Sequence, residues 1–207
     1  MKILILIGAL LGAWAEGRTF RDLFANGDFS EWGATGETSY KGYQFQGGIL
    51  SSTPKCQYLV SAKEYGSFHL KFEFKLTAGA NNGLGILYPG VGDPAKTGIE
   101  IQILDDHARK YEDLKPWQYH GSLYFLAAAK RGALRPAGAW NEQEIILEKN
   151  QVTVILNGDV IIKQDLKDLS QKHPEHEGVK RRSGHLVFCG HKDVVHFRKV
   201  RLSEDGP

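Results

Sequence analysis

Between Phe68 and Leu76 apolar and polar residues alternate without a break: Phe68-His69-Leu70-Lys71-Phe72-Glu73-Phe74-Lys75-Leu76. Successive side chains of a strand point to opposite faces, so this segment buries one face and wets the other. A helix, with its 3.6-residue period, would scatter the same apolar residues around its circumference. Residues 151–164 repeat the pattern as a hairpin. Val152, Val154 and Leu156 alternate up to Asn157-Gly158, a pair suited to the positive φ values of a type I′ turn, and Val160-Ile161-Ile162 returns. Further strands are expected at 185–189 and 194–202, with a turn at 190–193 between them. Strand signals recur at short intervals from about residue 41 to 202 and no convincing amphipathic helix interrupts them. That spacing predicts an all-β sandwich or barrel.

The chain has 207 residues. Met1-Lys2, the apolar run from Ile3 to Ala13 and the sequence Ala13-Trp14-Ala15 have the three parts of a secretory signal peptide, with cleavage expected after Ala15. The run is too short for a spanning helix, which needs about 20 residues, so no membrane span is expected. Residues 16–207 then suffice for one domain, exported to the periplasm or secreted. With 26 Lys plus Arg against 24 Asp plus Glu, nothing suggests a nucleic-acid partner, and the short basic cluster Lys180-Arg181-Arg182 reads as a solvated loop. Cys56 and Cys189 are the only cysteines; they could pair in an oxidising compartment or stand apart as two thiols.

The most informative segment for chemistry is Ile99-Glu100-Ile101-Gln102-Ile103-Leu104, where the isoleucines share one face and Glu100 and Gln102 the other. Side chains two apart on a strand stand roughly 7 Å apart, close enough for a carboxylate and an amide to hold one sugar ring. The alternative is an ordinary surface strand with a polar outer face. Around it in sequence lie Asp105 and Asp106, then Tyr111, Trp117, Tyr119 and His120, then Lys130-Arg131, then Trp140-Asn141. Aromatic rings that stack on the apolar faces of sugars, mixed with planar amides and carboxylates, suit a carbohydrate partner, although aromatic residues of a β protein are core by default. Three loops, 79–83, 105–121 and 127–138, carry most of these residues. His191 sits in a turn where an imidazole can face a pocket as acid, base or donor. His173 and His176 lack a zinc-like spacing, so no metal centre is expected there. No cofactor is required, though Glu100, Asp105 and Asp106 would also suit a divalent cation such as calcium.

Several segments resemble the 3-keto-disaccharide hydrolase domain family. They are Phe20-Arg21-Asp22-Leu23-Phe24, Phe29-Ser30-Glu31-Trp32, Glu64-Tyr65-Gly66-Ser67-Phe68, Asn81-Asn82-Gly83-Leu84-Gly85-Ile86 and Ile99 through Asp106. They continue with Tyr119 through Tyr124, Trp140 through Glu144, Leu156-Asn157-Gly158, Gly190-His191 and Phe197-Arg198. The resemblance implies a two-sheet antiparallel jelly roll like the concanavalin A-type lectins and glucanases, with sugar on the concave face of the larger sheet. It also implies cleavage of glycosides whose sugar is a ketone at carbon 3. That reaction needs a base and an enolate stabiliser. The candidates are Glu100 or His120 as base, and Lys130, His191 or a bound cation as stabiliser. Gln102, Asp105, Tyr119, Trp140, Asn141 and Arg198 would hold the substrate. A noncatalytic carbohydrate-binding domain is the alternative, and a glycoside hydrolase with paired carboxylates a third reading. Family members often carry Arg where this chain has Leu87 and Asn where it has Lys199, which implies a site lacking one bidentate donor.

Overall fold

In the computed structural model residues 18–33 and 39–204 are described; the expected signal peptide lies outside them. Thirteen strands, numbered in chain order, form two antiparallel sheets: β1 (Arg21–Asp22), β2 (Ser39–Tyr40), β3 (Tyr43–Gln46), β4 (Ile49–Ser52), β5 (Leu59–Tyr65), β6 (Phe68–Leu76), β7 (Asn81–Tyr88), β8 (Ile99–Leu104), β9 (Trp140–Glu148), β10 (Gln151–Leu156), β11 (Asp159–Asp165), β12 (Gly184–Phe188) and β13 (Val195–Glu204). The larger sheet runs β11-β10-β9-β6-β13-β4-β3-β2, with β1 beside β13, and the smaller runs β5-β12-β7-β8.

The alternating segment found in the sequence is β6, central in the larger sheet, and Phe68, Leu70, Phe72, Phe74 and Leu76 are at most 1% exposed. Each such side chain contributes about 1.5–3 kcal/mol by leaving water. From the smaller sheet Phe188 meets Phe197 of β13 at 4.8 Å and Trp32 at 5.3 Å, so aromatic rings knit the two layers. The β10–β11 hairpin turns at Asn157 (φ 52°) and Gly158 (φ 92°), the backbone that a type I′ turn requires. The result is a jelly-roll β-sandwich of the concanavalin A type.

Two short helices were not foreseen. In α1 (Pro94–Thr97) Asp93 caps the Ala95 amide, and in α2 (Leu166–Lys172) Asp165 caps the Lys167 amide while Leu166 and Leu169 are buried three residues apart. Both are too short for periodicity to reveal. The segment expected as a loop at 79–83 is mostly strand, since β7 begins at Asn81. Cys56 and Cys189 are separate free thiols.

Candidate active site

Every residue of β8 is buried, on both faces. Ile99, Ile101 and Ile103 enter the core, and Glu100 (5% exposed) and Gln102 (4%) stand on the outer face of the smaller sheet. The resemblance implied sugar on the larger sheet, whereas β8, which carries Glu100 and Gln102, pairs with β7 in the smaller one.

Two neighbours make room for Glu100. On β7, Gly83 supplies no side chain, and a Cβ built there would lie 1.9 Å from Glu100 Oε1, so the carboxylate occupies space that any other residue would fill. Beyond β7 on the same side Cys189, buried with Tyr88 and Val187, lies against the carboxylate; burial pushes the Cys189 thiol well up and the Glu100 charge adds to that, so it is a neutral neighbour.

His191 reaches Glu100 from the β12–β13 turn, with Nε2 3.4 Å from Oε1. Its side chain is 41% exposed against 7% for Glu100, so it forms the solvent edge of the pair. The hydrogen bond to Glu100 raises the His191 pKa against an opposing effect of burial. The turn is firmly held: Asp193 Oδ2 accepts from the Asn81 amide at 2.9 Å, Ser52 Oγ donates to Asp193 O, and Cys189 N donates to Gly83 O. Gly190 has φ +54°, and a Cβ there would come within 2.7 Å of Cys56 Sγ, so the turn can pack against the 56–57 segment only as glycine.

Gln102 is 4% exposed and makes no side-chain hydrogen bond to another described residue, so its amide is left to the solvent side of this face. Beside it the chain adds a further edge: Gln102 N donates to Ser122 O, Tyr124 N donates to Glu100 O, and Ile101 bridges Leu123. Leu123 points into the core with Ile101, so by alternation Tyr124 rises on the same face as Glu100. Trp117 and Phe125 pack on Tyr124 at 4.9 and 4.6 Å between ring centres. On the β5 side Tyr58 is pushed up to about 12 by burial, with Asp93, Cys189 and Glu100 adding to the shift. A carboxylate–imidazole pair, the Gln102 amide and Tyr124 thus share one face, with Trp117 and Phe125 packed on Tyr124.

The remaining candidates do not converge on Glu100. His120 is on the core side: Nδ1 accepts from Leu104 N at 3.2 Å, Nε2 faces Gln143 Oε1 at 3.0 Å, and the ring stacks on Phe74 at 5.0 Å. Burial lowers its pKa to about 4, so it is a neutral pin between the sheets and no base for a bound sugar. Asn141 spends its amide on the protein: Oδ1 accepts from Arg135 N and Asn157 Nδ2, both at 2.8 Å. Asp105 accepts from the Gly79 amide at 2.7 Å and stiffens its loop. Asp106 accepts from the His120 amide at 2.9 Å, which turns it away from a shared cation site with Glu100 and Asp105. Among the described residues no three His, Cys, Asp or Glu side chains are grouped to hold a metal ion. Tyr119 donates to Glu112 O and lies under the Arg131 guanidinium. Lys130 is exposed, its amide tied to Ile161 O of β11 at the far edge of the larger sheet. Trp140 and Arg198 do meet, 4.0 Å from guanidinium to ring, but on the outer face of the larger sheet, where Arg198 also borders a cleft of 410 Å³ lined by Phe24, Phe45 and Leu50. His176 Nε2 pairs with Ala95 O and so anchors α1.

Sequence reasoning overlooked Gly83, Cys189, Tyr58 and Phe125. The readable signal was the pair Gly83 and Gly85 on the outer face of a strand: glycine weakens a strand and marks close approach of another group.

Fold and site together define a jelly-roll sandwich with a buried carboxylate–imidazole pair on its smaller sheet. Within that class the chain belongs to the 3-keto-disaccharide hydrolase family, whose model, described as a 3-keto-alpha-glucoside-1,2-lyase-like domain, matches residues 19–203. No curated protein matches the chain significantly. Among solved structures it is similar to two Parabacteroides distasonis proteins provisionally named glycosyl hydrolases. One is 22% identical at TM-score 0.76, covering 90% of this chain and 100% of the other. The second is 21% identical at 0.74, covering 90% and 94%. It also resembles β-agarase A, solved with oligoagarose, at 7% identity and TM-score 0.54, covering 79% and 75%. These likenesses show the shared fold.

Proposed function

We propose that this protein is an exported enzyme that cleaves glycosides oxidised to a ketone at carbon 3. The ketone acidifies the hydrogen at carbon 2. Glu100 removes that proton, an enolate forms at the carbonyl oxygen, and its collapse breaks the bond from carbon 1 to the glycosidic oxygen. The leaving oxygen takes up a proton, and water adds to carbon 1 afterwards. His191, whose pKa is raised by its hydrogen bond to Glu100 and which is open to solvent, stabilises the enolate in its imidazolium form, and Gln102 donates to a ring hydroxyl.

One observation carries this reading: in a chain of this family, the buried Glu100 carboxylate has, among the described residues, only the solvent-edge His191 and the neutral Cys189 thiol as polar side-chain partners. A buried carboxylate this sparsely paired is costly as structure and useful as a base. The test is product release from 3-keto-glucosides and their unoxidised parents, with and without a chelator. Cleavage of the oxidised set alone supports elimination, and loss on chelation would replace His191 by a divalent cation as stabiliser. Cleavage of the parents would sink the reading, and sugar binding without cleavage of either set would leave a carbohydrate-binding domain.

A further inference from the structure

The aromatic group at the edge of the smaller sheet is not explained by folding. Phe125 is 40% exposed and has φ +67°, a left-handed conformation that glycine or asparagine adopts far more readily. The turn has a structural purpose, since Leu126 N and Ala127 N both donate to Leu123 O and Leu126 is thereby put into the core. That purpose needs the turn and not a phenyl ring at its tip. Trp117 packs against the ring at 4.7 Å, and is itself covered by the Lys115 ammonium at 5.6 Å. Gln118 Nε2 donates to Tyr124 Oη and Gln118 Oε1 accepts from Lys115 N, so the supports of Phe125 are fixed from below.

The position matters as much as the exposure. Tyr124 is bonded through its amide to Glu100 O, which puts its side chain about 5 Å from the Glu100 column, with Phe125 one residue beyond. A sugar whose carbon 2 lies over Glu100 must send its leaving group off the sugar in some direction. Helix α1 packs across β7 and β8 toward Tyr88, and His191 and Cys189 flank the β12 side. The 121–125 edge presents an exposed aromatic surface at Phe125, while on the β5 side the exposed ring is Tyr58.

We propose that Phe125, backed by Trp117 and Tyr124, is the platform on which the leaving group of the substrate stacks, selecting glycosides with a flat apolar face there, either an aromatic ring or the CH face of a second sugar. This rests on the proposed reaction at Glu100. Kinetics of the full chain would compare 3-keto-glucosides carrying methyl, phenyl and glucosyl leaving groups. Phe125→Ala lowers kcat/KM about five- to tenfold for the phenyl or glucosyl substrate and less than twofold for the methyl one, and Phe125→Tyr restores it. Whichever of the two larger substrates responds identifies the natural leaving group. Phe125→Asn relieves the backbone, so it raises Tm while losing the same preference, which separates stacking from misfolding. An equal loss on all three substrates, or no loss on any, overturns the platform. If the wild type cleaves nothing, binding of unoxidised phenyl and methyl glucosides, followed by ligand NMR, decides instead. Phenyl binding weakened selectively by Phe125→Ala keeps the platform while the reaction falls; equal binding removes both.

Discussion

The two outer faces of the sandwich handle polar side chains in opposite ways. On the larger sheet Glu73 binds Arg198 at 2.6 Å and Lys199 at 2.5 Å, and Glu144 binds His69 at 2.6 Å and Lys71 at 3.1 Å. Glu73 has two cationic partners, and Glu144 a lysine and a histidine. Burial works against ionisation of Glu73, but Lys199 and Arg198 outweigh it, and the His69 hydrogen bond leads in holding Glu144 low. On the smaller sheet Glu100 is better buried and has one long imidazole contact, while the Gln102 amide has none among the described residues. A face that meets only water can satisfy its charges internally; a face that must bind a ligand keeps some hydrogen-bonding capacity unspent.

The comparison breaks most decisively at Glu100. Glu100→Gln should lower turnover of a 3-keto-glucoside by about 10² to 10⁴-fold while the thermal transition stays in place, since removing a general base costs that much and the amide is isosteric. Gly83→Ala should approach the same loss, because the new methyl needs the space of Oε1. Turnover of Glu100→Gln within a few fold of wild type would place the base elsewhere.

His191 gives the next largest effect and a pH signature. Its folded pKa is raised above 6.5, so the imidazolium, and the stability it adds, is complete below 6.5 and is lost as pH rises through the raised value. The rate should therefore fall on the alkaline side. His191→Gln should lose about tenfold or more in kcat and flatten that limb. An unchanged alkaline limb in the variant would remove His191 from the reaction.

His120 tests whether the core histidine is structural. Its pKa falls from 6.5 to about 4, so between these values the unfolded chain binds the proton first and stability drops as pH falls. Below 4.5 the depressed Glu73 and Glu144 add their own acid loss, and above it His176 and His196, also lowered, act in the same direction, so His120 is read from the difference between variant and wild type from 6.5 to 4.5. His120→Gln should reduce the slope of unfolding free energy against pH in that window, and His120→Ala should cost about 2–4 kcal/mol in urea denaturation. Specific activity of the folded fraction should hold within about twofold, as for a residue outside the reacting face.

How much of this was legible follows from range. Phe68–Leu76 and the Asn157-Gly158 hairpin were readable because pleat and turn are local. So was the sharing of one face by Glu100 and Gln102. Which sheet β8 joins depends on pairing with β7 and on the segment 121–124, a tertiary matter that no local pattern carries. For the same reason His120 and Asn141 looked like loop polar groups and proved to be interior ones. The two departures from the family pattern also changed meaning. Leu87 (φ +53°) and Lys199 (φ +52°) both sit at left-handed bulge positions, and the Leu87 side chain belongs to the core. Asparagine at 199 would suit that backbone, and the residue at 87 in this chain takes nothing from the Glu100 face.

The smallest effect is expected at Trp140 and Arg198, and it sharpens the contrast because both were sequence candidates for substrate binding. The Arg198 guanidinium and the Lys75 ammonium cover the indole at 4.0 and 5.0 Å, and the guanidinium is committed to Glu73. Half-exposed ion pairs of this kind are worth about 1 kcal/mol or less. Arg198→Ala and Trp140→Ala should therefore shift unfolding by about that amount and leave kcat/KM within about twofold on every substrate. The preference for a larger leaving group assigned to Phe125 should survive in both variants. A KM raised tenfold or more by either change, with kcat held, would mean that substrate reaches across to the larger sheet. The sandwich would then carry its binding surface on one face and its base on the other, a separation that a single small glycoside could not bridge.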